Sequence, residues 1–187
     1  AEVAKPTVNP PGLWARDKSS RPQSRDGSAL EGVFGRVVPL GGDVDALVRQ
    51  ALRDPNPITR RLAFSRLLES LTPTNAAAVR EQLVALGAEP DQWRDFHYSW
   101  GALDGKAAFA SAANSPEADL AATMTGWAAA NPSEALALLD NLPAEMLGQR
   151  DELVASVVSG LSHRDLATAT DFVVGLGQEG NAKAGEL

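Results

Sequence analysis

Gly126-Trp127-Ala128-Ala129-Ala130-Asn131-Pro132-Ser133-Glu134-Ala135 reads as the end of one helix and the start of the next. A large aromatic closes the first helix. Asn131 follows four residues later as a capping side chain, and Pro132 takes the first helical position, where its missing N–H has no partner to lose. Ala135 lies four residues beyond the cap, small enough to let two helices approach closely. The same grammar returns 34 residues on as Gly160, Leu161, Asp165 and Ala169. Residues 120–153 overlay residues 154–187 without a gap, with seven identities. In a chain rich in Ala and Leu the identities carry little weight alone. The alignment of cap with cap and core with core carries more: Leu139 meets Val173, Leu142 meets Leu176, and Leu153 meets Leu187.

An earlier unit fits with a shift of 27, so that Trp93 meets Leu120, Trp100 meets Trp127, Asp104 meets Asn131 and Ala108 meets Ala135. The missing stretch is about two helical turns. It falls at a hairpin tip, where the later unit has Pro143 to Gln149, and length change there leaves stacking faces intact. In this register Leu187 stands partway through a further repeat.

Upstream, apolar periodicity begins at Asp43, a cap for Val44, Leu47, Val48, Ala51 and Leu52. Asp54-Pro55-Asn56-Pro57 ends that helix, and Asn56 caps the next, whose stripe is Leu62, Ala63, Phe64, Leu67, Leu68 and Leu71. Thr72-Pro73 is expected to start a third helix through Ala76, Val79, Leu83 and Leu86, ended by Gly87. A fourth runs from about Pro90, and Asp104 caps a fifth. Ser115-Pro116 is expected to open a sixth through Leu120, Met124 and Trp127, Asn131-Pro132 a seventh. Leu153 to Leu161 defines an eighth, and Asp165 caps a ninth. The expected fold is all-α: a right-handed, α-solenoid-like array of short antiparallel helical hairpins over residues 43–187. Residues 1–42 read as an irregular arm or linker, since Pro and Gly break every helical period there, with Trp14, Val33-Phe34 and Val37-Val38 as its anchors.

Composition agrees with helices, at 44% hydrophobic and only 5% aromatic. Residues 1–70 carry eleven Lys/Arg against eight Asp/Glu, and residues 71–187 six against sixteen. An acidic body repels phosphate backbones, which argues against nucleic acid as a partner. There are no cysteines, so thiol chemistry is excluded. No apolar run approaches the roughly 20 residues that span a bilayer. A start at Ala1-Glu2-Val3-Ala4-Lys5 fits a processed or excised chain, and an exported or periplasmic location is the expectation.

The 34-residue hairpin resembles a tetratricopeptide repeat in length. It departs from that family because the intervals from Gly126 to Ala135 and from Gly160 to Ala169 are short. Residues 43–71 resemble a HEAT-type unit through Leu47, Leu52, Asp54-Pro55, Arg60 and Ala63. The run Trp127 to Ala135 resembles the Trp-centred helical repeats of uncharacterised exported bacterial proteins, a likeness that covers residues 93–187 and implies no known activity.

No motif specifies chemistry. His97, among Trp93, Phe96, Tyr98 and Trp100, has the residue type of a general base, but Asp95 two positions away points off another part of a helix. The residue reads as a core or boundary histidine. His163 lies in an expected loop, Ser162-His163-Arg164-Asp165, whose order does not make a triad. Two distant histidines make no metal site, Gly105-Lys106 and Gly32-Arg36 lack a phosphate loop, and no cofactor is implied. Trp93, Trp100 and Trp127 read as core, and Tyr98 falls off their face.

The expected function is therefore a protein or peptide interaction module without catalysis of its own. Its candidate surface is Tyr98 with the acidic residues Glu117, Asp119, Glu134, Glu145, Asp151 and Glu152. A non-catalytic accessory domain of a larger enzyme and a structural envelope protein are the alternatives.

Overall fold

Capping side chains set most of the helix starts. In the computed structural model, which describes residues 43–113 and 119–178, Asp43 accepts from Asp45 N at 3.0 Å and begins α1, Val44–Arg53. Asn56 accepts from Ile58 N at 2.9 Å and begins α2, Pro57–Glu69. Helix α3 spans Ala76–Leu86 and ends on Gly87, whose φ of 68° is the left-handed conformation that glycine adopts without a Cβ penalty. Next come α4 (Pro90–Leu103), α5 (Gly105–Ala113), α6 (Leu120–Ala130) and α7 (Pro132–Asp140). A 3-10 turn, Ala144–Gln149, leads into α8 (Arg150–Arg164) and α9 (Leu166–Gln178). The described residues are all-helical.

Four details differ from the sequence reading. The third helix starts at Ala76 because Thr72 and Asn75 close a loop on each other. Thr72 N donates to Asn75 Oδ1 at 2.8 Å, and Asn75 N donates to Thr72 Oγ1 at 3.2 Å. The sixth starts at Leu120, capped by Asp119, whose Oδ1 accepts from Ala122 N at 2.9 Å; Ser115 and Pro116 lie outside the described residues, as does the arm of residues 1–42. Asn131 stands at the start of α7 without a capping bond from its side chain. His163 belongs to the last turn of α8, not to a loop.

Two apolar clusters meet across α4 and α5. The first joins Leu47, Val48, Phe64, Leu67, Val79 and Leu83 of α1–α3 to Phe96 and Trp100 of α4. The second gathers Phe109, Met124, Trp127, Leu139, Val154 and Val157 around α6 and α8. Helix α6, LAATMTGWAAA, has no charged residue, and it is packed between α4 on one side and α8 on the other, with α5 and α7 against it. The densest helix contacts run α4 to α6 to α8.

Glycines set the spacing of that row. A Cβ on Gly101 would collide with the Thr123 carbonyl, and one on Gly126 with the Tyr98 carbonyl and Ala102 N. One on Gly160 would meet the Thr125 carbonyl, the Ala128 methyl and Ala129 N. A Cβ on Gly105 would stand inside the Trp127 ring. At Gly101, Gly126 and Gly160 the helices approach to backbone contact, and any larger residue would force them apart.

Candidate functional site

The last hairpin presents an open apolar face. On α8, Ala155, Val158, Ser159 and Ser162 fall at helical spacing on one side; on α9, Leu166, Ala169, Val173 and Val174 face them. Together they line a groove of about 450 Å³. Leu166 is 70% exposed and Val174 52%, large apolar side chains in contact with water.

The seats beneath Gly126 and Gly160 explain what kind of face this is. Gly126 rests on Tyr98 and Ala102, and Gly160 on Thr125, Ala128 and Ala129. Moving the second set forward by the 34-residue register leads to Ser159, Ser162 and His163, all exposed, the first two lining the groove. This face was missed in the sequence, where Gly126 and Gly160 registered only as an identity. The available signal was Asp140 against Val174, a polar residue replaced by an apolar one at an outward position.

Asp119 and Glu152 converge at a second cleft of about 580 Å³, lined also by Pro90, Trp93, Leu120 and Gln149 at the N-terminal ends of α4, α6 and α8. Asp119 spends one carboxylate oxygen on its cap. Asp151 and Glu152 occupy the exposed first turn of α8, where negative charge offsets the helix dipole. Glu134 is exposed on α7 and stands 3.9 Å from Lys106 Nζ. Glu145 is exposed on the 3-10 turn, and Glu117 lies outside the described residues. Tyr98 is half-buried, its ring 6.2 Å from that of His163.

His97 is fully enclosed, with no exposed surface. Its ring stacks on Trp93 at 5.6 Å and meets Phe96 edge-on at 5.4 Å. Thr123 Oγ1 lies 3.2 Å from Nδ1 and 3.0 Å from the Asp119 carbonyl. Nε2 is buried without a hydrogen-bond partner among the described residues. Burial, and secondarily the positive charge of Arg80, lowers the pKa from 6.5 to about 4, against a smaller opposing pull from Asp119. The ring is neutral at physiological pH and sealed from any substrate in solvent. Trp100 and Trp127 are 3% and 2% exposed, as core residues; Trp93 is only half-buried and walls the acidic cleft.

Among the described residues no three His, Asp or Glu side chains converge as metal ligands, and no helix is long and apolar enough to cross a membrane. Comparison with protein-family models, curated proteins and solved structures gives no match.

Proposed function

We propose that the helical body is an α-solenoid-like array of hairpins whose function is to bind a protein or peptide partner. The observation that carries this reading is the row α4–α6–α8. Each helix after the first is seated through a glycine on its predecessor, and the equivalent seat on α8 stands open beside an apolar groove. Stacked hairpins bury a continuous core while leaving their outer face available, and such faces suit extended contact with a polypeptide. An apolar groove rimmed by serines offers both burial and hydrogen-bonding positions to an incoming chain. The Asp119–Glu152 cleft adds two carboxylates that suit a basic side chain, beside a wall formed by Trp93, whose ring Arg80 already covers at 5.9 Å.

Selection of a random-peptide display library on the full 187-residue chain tests this reading. The expected result is enrichment of related sequences that compete with one another for the chain and bind it saturably by calorimetry. Failure to enrich anything beyond a charge-matched helical control protein would contradict it.

A further inference from the structure

We propose that the groove between α8 and α9 is the seat for a helix of a partner polypeptide that carries a glycine at its crossing point. The inference rests on the array reading above and assigns the partner's chemistry. Successive helix crossings in the row repeat one contact. At the α4–α6 crossing, Gly126 lies on the backbone of Tyr98 and Ala102. At the α6–α8 crossing, Gly160 lies on Thr125 and Ala129, the positions that correspond to Tyr98 and Ala102 under the 27-residue shift. The surface built at each step therefore has the same demand: backbone must come to backbone, which only a residue without a side chain allows.

On α8 the third such surface comprises Ser159, Ser162 and His163, flanked by Val158 and Leu166. Ser159 and Ser162 are short, and Ser162 Oγ donates to the Ser159 carbonyl at 2.7 Å, a bond that the incoming glycine would displace. On α6 the corresponding positions, Met124 and Ala128, are wholly buried by the following helix. On α8, Val158 is half-buried and Ser162 exposed. The unsatisfied face thus asks for what α8 supplies to α6: an apolar stripe interrupted by one glycine. A cation one turn after that glycine would complete the fit. Arg164, four residues after Gly160, donates from Nη1 to the Ala130 carbonyl at 3.0 Å and so caps the end of α6. The equivalent terminal carbonyls of α8 are offered to the partner.

The probe is a fluorescently labelled synthetic peptide of residues 150–178, the hairpin that already fills the preceding seat, titrated against the full chain and followed by anisotropy. Saturable binding is expected. It should weaken by about tenfold or more with Gly160→Leu in the peptide, and equally with Leu166→Asp plus Val174→Asp in the chain. Both chain positions are solvent-exposed, so the doubly substituted chain should melt as the parent does, which circular dichroism checks.

Binding that ignores the chain substitutions would overturn the proposal, because the peptide would then be replacing the chain's own hairpin on α6. Binding that ignores Gly160→Leu would overturn the glycine requirement. Absence of saturable binding below about 1 mM would overturn it as well, leaving the groove to a segment of this chain or to a partner of another shape. In that last case peptides enriched by display would still uphold the module reading, and their absence would remove both.

Discussion

Helices α1–α3 and the row α4–α6–α8 are held together differently. The first three interdigitate side chains: Leu47, Val48, Leu67, Val79 and Leu83 are buried to the last atom, and no glycine stands at a contact between them. The row closes on backbone, with Gly101, Gly126 and Gly160 against the carbonyls and amides of neighbouring helices. Side-chain packing relaxes only partially around lost atoms and is left with a cavity, while backbone contact has no slack in the direction of added atoms. The first region should thus be sensitive to truncation and the second to enlargement.

Gly126→Leu should have the largest effect. Its side chain would be driven into the backbone of Tyr98 and Ala102, with a stability loss of about 4 kcal/mol or more in urea unfolding. Leu67→Ala, in the side-chain-packed region, should cost about 3 kcal/mol; a loss under about 1 kcal/mol would mean the α1–α3 core is looser than its burial implies.

Acid should act at the α4–α6 junction. His97 is held neutral in the fold with a pKa near 4, against an ordinary value of 6.5 when unfolded. The unfolded chain therefore binds the extra proton first as pH falls. Stability is fully present above about pH 6.5 and is lost between there and pH 4, by up to about 3 kcal/mol. His97→Phe keeps the aromatic packing and should flatten the pH dependence of the melting temperature across that window. A slope unchanged in the variant would assign the dependence to other groups.

The smallest effect is expected from Asp165→Ala, which removes the acceptor for Ala167 N at 3.0 Å and for Thr168 Oγ1 at 2.7 Å. Those hydrogen bonds, that from Thr168 foremost, also hold the Asp165 carboxyl below the usual carboxylate range. Faster amide exchange confined to the first turn of α9 is the expected readout, and exchange spreading into α8 would show the cap to be coupled to the row.

Much of the helix order was legible in the sequence, because a helix start is a local event. Asp43, Asn56 with Pro57, Asp104 and Asp165 cap where their sequence context places them. Local rules failed where side chains had nearer partners, as when Thr72 and Asn75 bond each other and delay α3 to Ala76. They failed again at Asn131, which holds the cap position of α7 without a capping bond from its side chain. The acidic residues were not legible as a surface. Which of them meet depends on how whole helices are set beside one another, and that setting brings Asp119 to Glu152 while leaving Glu134 beside Lys106. The groove on α8 and α9 is harder still to read. Apolar periodicity there resembles every other helix, and only the packed neighbours of α6 reveal that, among the described residues, α8 has no equivalent cover.

Glycines in backbone contact set the spacing of the row. The comparison of Gly160→Ala with Gly175→Ala in matched urea unfolding tests this most directly. Gly175 is also in a helix, yet beyond its chain neighbours and its own helix backbone no atom of the described residues lies within 4 Å of where its Cβ would stand. Alanine at Gly160 is expected to destabilise by about 1–3 kcal/mol through forced separation of α6 and α8. Alanine at Gly175 is expected to stabilise by about 0.5–1 kcal/mol, the ordinary gain in a helix interior. Equal and favourable effects at both positions would mean that α6 and α8 do not close on each other through Gly160, and would contradict the account.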